Sequence, residues 1–131
     1  MLLAISNGMP VINYSKRTWL VSKVNKAHDF LSRIVGWIGR SKMDPEAALW
    51  VNPCWGIHTF GMNFPVDVVF LEKDHRVVAI TQNLPVNRFS PLVFRAQSVL
   101  VLPAHSISKS RTMMGDFIEI TESEAAYAKT G

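Results

Sequence analysis

Residues Ala48 to Ile80 read ALWVNPCWGIHTFGMNFPVDVVFLEKDHRVVAI, and the punctuation of this stretch decides the fold. It begins as continuous apolarity, which suits a strand buried on both faces. Pro53 and Gly56 interrupt it, and Gly61 and Pro65 interrupt it again. Proline removes a ladder donor and glycine weakens a strand, so two short strands joined by a kinked loop are expected. Val66 to Leu71 is the clearest strand of the chain, Glu72 to His75 a polar turn, and Arg76 to Thr81 its antiparallel partner.

On the N-terminal side, Leu2 to Ile5 and Thr18 to Val24 are rich in aliphatic and β-branched residues, with Asn7-Gly8 marking a turn between them. Asn25 then stands where a helix N-cap would. Ala27, Phe30, Leu31, Ile34 and Ile38 recur at helical spacing, and Gly36 is placed to end the helix. On the C-terminal side, Gln82 to Pro91 carries two prolines and two asparagines without a period and reads as a loop. Ser98 to Leu102 is a strand stopped by Pro103, Ser106 to Met114 is polar and irregular, and Gly115-Asp116 turns into a closing strand, Phe117 to Ile120. The expected fold class is α+β and β-rich: a mostly antiparallel rolled sheet or small barrel with one main helix packed on it. A single domain over residues 1–120 and a flexible C-terminal tail over 121–131 complete the expected organisation.

Composition narrows the function classes. A chain of 131 residues, 48% hydrophobic and 18% charged, can bury one core without staples. Its net charge of +4 is spread with no run of more than two like charges, so no basic stripe suggests nucleic acid as a partner. No apolar run reaches the roughly 18 residues of a membrane span. The single cysteine, Cys54, has no internal disulfide partner. With no basic start before the first apolar residues, a soluble cytoplasmic protein is expected.

Asp67 interrupts the apolar strand PVDVVFL, with neither strand face plainly wet. An unpaired buried carboxylate would cost several kcal/mol, so the fold must offer it cations or backbone N–H donors. One reading makes it an architectural anchor, bonded to N–H groups of the Thr59 to Asn63 segment or paired with Arg33 or Arg40. The other makes it a ligand-binding or general-base group. Cys54, His58 and Met62 are spaced at i, i+4 and i+8 and together would suit a soft ion such as Cu(I). The glycines and prolines among them break the regular element that this alignment requires, so core filling is the expectation for Cys54 and Met62. For His58 it is a side chain that holds its loop. A Cys–His nucleophile pair would lack a third group to orient it. Trp50, Trp55, Phe60 and Phe64 could wall a pocket or simply pack in the core.

The string CWGIHTFGMNFPVDVVFL, from Cys54 to Leu71, resembles the signature of the DUF192 family, also called UPF0127, of small, functionally uncharacterised bacterial and archaeal proteins. The RIVGWIGR segment from Arg33 to Arg40 is similar to the family's R-x-x-G-L-x-G-R, and VLVLPA and GDFIEI extend the likeness from about Leu20 to Ile120. The resemblance implies a compact β-rich fold with a packed helix and carries over His58, Thr59, Met62, Pro65 and Asp67. Arg33, Arg40, Pro103, Gly115 and Asp116 follow as secondary positions. The chain departs from the family in three places. Val101 stands where an acid is common, His105 where the glycine of L-P-A-G falls, and Asp74-His75 where the hairpin usually turns on Asp-Gly.

The functional expectation is a non-enzymatic ligand-binding or interaction module with a pocket around the His58 to Asp67 motif. Its candidate binding residues are His58, Thr59, Met62, Asp67, Arg33 and Arg40, its partner a small molecule or a protein, and no cofactor is expected. The alternatives are a hydrolytic enzyme using Asp67 or His58 as general base, and a soft-metal site at Cys54, His58 and Met62.

Overall fold

The computed structural model describes residues 10–27 and 44–120. Eight strands follow in chain order: β1 (Val11–Asn13), β2 (Thr18–Val21), β3 (Lys23–Ala27), β4 (Ala47–Val51), β5 (Val66–Leu71), β6 (Val77–Leu84), β7 (Ser98–Pro103) and β8 (Ile118–Ile120). A short helix, α1 (Ser106–Ser110), lies between β7 and β8. They form a three-stranded sheet, β2-β1-β8, and a five-stranded sheet, β3-β4-β7-β5-β6. All pairings are antiparallel except β3 with β4. The fold is β-rich α+β as expected, but as two open sheets: the edge strands β3 and β6 do not close the larger one into a barrel.

The central strands of the larger sheet, β4, β5 and β7, are buried on both faces, which explains the continuous apolarity of their sequences. Leu49, Val51, Val66, Val68, Phe70, Val99 and Val101 point to one face and pack with Ile57, Met62 and Phe64 from the loop before β5. Ala48, Trp50, Val69, Leu71, Leu100 and Leu102 point to the other and meet Val11, Val21, Ile107, Ile118 and Ile120. The period of two thus divides each central strand between two cores, one under an irregular loop layer and one under the small sheet and α1. Each fully buried Phe70, Leu71 or Leu100 contributes about 1.5–3 kcal/mol over its exposed state. The sheets are tied together where the approach to β8 meets the start of β6, through Val77 N–H to Asp116 O at 2.8 Å and Ile118 N–H to His75 O at 3.0 Å.

Three local expectations need correction. Asn25 is not a helix cap: Lys23 to Ala27 pairs residue for residue with Ala47 to Val51, and the buried Val24 anchors it in the sheet. The remainder of the expected helix, with Arg33, Arg40 and Gly36, lies outside the described residues, as do the Leu2 to Ile5 strand, the Asn7-Gly8 turn and the tail. Residues 82–84 belong to β6 rather than to a loop. Ser106 to Ser110 is helical rather than irregular; its signal was invisible because its cap comes from elsewhere in the chain.

The candidate functional site

Asp67 is fully buried, and both of its oxygens are taken by backbone amides. Oδ1 accepts the Asn83 N–H at 2.8 Å and Oδ2 the Ile107 N–H at 2.8 Å. Each donor has a reason to be there. Between Val66–Leu84 and Val68–Thr81 the β5–β6 register gains one residue on β6, and Asn83 takes a φ of 52° in that bulge. A bulge leaves an amide without a ladder partner, and the carboxylate supplies one. Ile107 lies in the first turn of α1, whose own N-cap residue, His105, makes no side-chain cap. Asp67 caps the helix from a strand 40 positions away. The carboxylate is therefore sealed by backbone N–H groups, as the architectural reading required, although the donors are Asn83 and Ile107 rather than the Thr59 to Asn63 segment.

A second buried carboxylate, Asp116, organises the other end of this core. It accepts Lys16 Nζ at 2.9 and 2.7 Å, Asn13 Nδ2 at 2.9 Å and the Met113 N–H at 3.0 Å. Asn13 Nδ2 also donates to Thr112 Oγ1 at 2.9 Å, and Thr112 shares a 2.6 Å hydroxyl contact with Ser110. Burial alone would raise the Asp116 pKa, but the hydrogen bonds from Asn13, Lys16 and Met113 outweigh it and hold the carboxyl below its ordinary range. Asn13 and Lys16 lie about a hundred positions from it in sequence, so no local pattern could have revealed this cluster.

The motif loop itself forms an irregular two-stranded ribbon with the segment after β6. Cys54 N–H bonds to Gln97 O, Val93 N–H to Trp55 O, Ser90 N–H to Ile57 O, and Thr59 N–H to Arg88 O, all between 2.9 and 3.0 Å. The two segments approach so closely at Gly56 that a Cβ there would lie 2.9 Å from Pro91 O and 3.0 Å from Leu92 Cδ2; no larger residue fits. Thr59, fully buried, is the knot: its Oγ1 donates to Pro85 O at 2.7 Å and accepts the Arg88 N–H at 2.9 Å.

The ribbon buries Ile57, Thr59, Met62 and Phe64 and leaves large apolar side chains outside. Trp55, Phe60, Phe89, Leu92 and Phe94 are 54%, 40%, 73%, 65% and 66% exposed. The Phe60 and Phe89 rings meet at 4.9 Å and 88°, Trp55 and Phe94 at 5.1 Å and 81°, and His58 stacks on Phe60 at 5.2 Å. The rings form two groups, Phe60 and Phe89 with His58, and Trp55 with Phe94, and large apolar side chains left exposed in this way mark interaction sites. Phe89, Leu92 and Phe94 escaped the sequence reading because their segment looked like a mere connection. The available signal was three large apolar residues in RFSPLVF, too many for a solvated loop.

The residues proposed for soft-metal binding are engaged separately. Met62 packs inside the core, the Cys54 thiol donates to Gly56 O at 3.1 Å, and His58 Nδ1 accepts the Phe60 N–H at 3.2 Å. Burial pushes the Cys54 thiol pKa up, with backbone hydrogen bonding at Gly56 and Trp55 acting the other way, so the thiolate that a metal or a nucleophilic mechanism needs is disfavoured. Among the described residues, the three concavities at Trp19–Glu46–Lys109, Glu72–Arg95 and Tyr14–Phe117 include no residue of the His58 to Asp67 stretch.

Residues 11–120 match the family model DUF192, described as an uncharacterized ACR. Two solved structures share the fold, each at a TM-score of 0.69. One is a protein of unknown function from Novosphingobium aromaticivorans, 19% identical, the match covering 85% of this chain and 82% of that one. The other, from Sinorhizobium meliloti, is described as a candidate transcription regulator; it is 22% identical over 86% of this chain and 91% of its own. No curated protein matches. At these identities the likeness extends to the fold alone.

Proposed function

The chain belongs to the DUF192 family, whose members are uncharacterised, and from that premise we propose that it is an interaction module whose working surface is the outer face of the ribbon. The observation that carries this reading is the set of exposed rings Trp55, Phe60, Phe89 and Phe94, with the half-buried His58 stacked on Phe60. Folding leaves in water a cluster that water disfavours, and such patches are ordinarily covered when the protein works. In this reading His58 belongs to the surface, Thr59 and Met62 build the support beneath it, and Asp67 anchors the opposite face of the sheet. A single domain and a cytoplasmic location are part of the proposal.

The reading is tested by placing a photoreactive benzophenone amino acid at position 89, or at Glu119 as an exposed control, and irradiating intact cells. A discrete adduct formed from position 89 and absent from position 119 is expected. Equal labelling, or none at 89, defeats the proposal. The general-base alternative has less support, because both Asp67 oxygens already accept amides and the side chain has no solvent access.

A further inference from the structure

Resting on that reading, the inference concerns what covers the patch. The ribbon segments 52–65 and 84–97 contain no aspartate or glutamate, although the chain carries ten acids. Their charged side chains are Arg88 and Arg95. Arg95 is paired with Glu72 at 2.6 Å; Arg88 is exposed beside Phe89 and makes no ion pair among the described residues. The surface is therefore apolar, with Arg88 and the Arg95–Glu72 pair as its charged groups.

We propose that this face seats on an anionic lipid bilayer, with Trp55, Phe60, Phe89, Leu92 and Phe94 entering the interfacial layer and Arg88 meeting the lipid phosphates. Tryptophan and phenylalanine beside arginine match the gradient from acyl chains to headgroups, and repulsion from an anionic leaflet is limited because the ribbon segments carry no acid and Glu72 beside them is paired with Arg95. Other occupants fit less well. Single-stranded nucleic acid stacks on open ring faces, but here Phe60 and Phe89, and Trp55 and Phe94, cross edge to face, so one ring of each pair covers the other. A second copy related by a two-fold axis would set Arg88 of this face against the same face, which offers it no carboxylate outside the Arg95–Glu72 pair. Among the described residues no helix is long and apolar enough to cross a membrane, so the contact proposed is one of lying on the surface.

The test uses the full chain with phosphatidylcholine vesicles, with and without phosphatidylglycerol, read by co-sedimentation and by tryptophan emission. The intact protein is expected to sediment with the anionic vesicles. Brominated acyl chains should quench its emission, and Trp55→Phe should remove that quenching. The Phe60→Asp, Phe89→Asp double variant should keep its melting temperature and lose vesicle binding by about a hundredfold. Arg88→Glu should weaken binding to anionic vesicles by about tenfold and leave neutral ones unaffected. Failure of the intact chain to sediment, or equal binding by the double variant, overturns the proposal. So does a preference for a fluorescent single-stranded oligonucleotide over vesicles. A protein adduct from position 89 without vesicle binding would overturn the lipid assignment and leave the interaction reading standing.

Discussion

The two faces of the five-stranded sheet are covered in opposite ways. Beneath the small sheet and α1, two carboxylates are drawn inward and satisfied: Asp67 by two amides, Asp116 by a lysine, an asparagine and an amide. Beneath the ribbon, the buried side is apolar, with Thr59 as its knot, and the outer side carries aromatic rings that nothing in the chain's described residues covers. The difference separates scaffold from the surface proposed to work. The buried carboxylate of Asp67 holds a bulge and a helix end in place, while the exposed aromatics form the surface proposed for binding.

The contrast is most sharply broken at Asp67. Asp67→Ala would leave two buried amides without acceptors and is expected to cost about 3–5 kcal/mol in denaturant unfolding. Asp67→Asn keeps one acceptor and should cost less, about 2–3 kcal/mol. A near-neutral Asp67→Ala would mean that water reaches these amides and the face is not sealed.

Asp116 gives the next largest effect, and a pH signature. Its folded pKa is lowered from 3.8, so its contribution is fully present above that value and is lost as pH falls through the depressed folded value. Urea midpoints measured downward from neutral should therefore fall more steeply below about pH 4 for the native chain than for Asp116→Asn. Equal slopes would remove Asp116 from the anchoring network.

Two histidines sharpen the comparison at smaller scale. His75 and His105 stand where the family resemblance implies glycine, and both adopt positive φ, 73° and 78°. His105 is exposed and makes no side-chain cap, so His105→Gly should stabilise by about 0.5–1 kcal/mol by relieving left-handed strain. His75 meets the Trp50 ring edge to face at 5.4 Å, a contact worth about as much as the strain it offsets. His75→Gly should accordingly be neutral within about 0.5 kcal/mol. The smallest effect belongs to the ribbon: Phe89→Asp should change stability by less than about 0.5 kcal/mol, because a side chain 73% exposed contributes little to the core. A large loss there would make Phe89 part of the scaffold and blur the division between the faces.

By itself the sequence determined the central hairpin, the strand at Ser98, the β-rich class and the oddity of Asp67, because these depend on local signals: a period of two, turn residues, and one charge in an apolar run. Only the tertiary structure decided what that charge is for, since its donors lie 16 and 40 positions away and arise from a bulge and a helix end that exist only after the strands pair. The same holds for the aromatic surface. His58 and Phe89 become neighbours because two irregular segments fold into one ribbon, and burial, which sorts Ile57 inward and Phe60 outward, is a property of the packed chain.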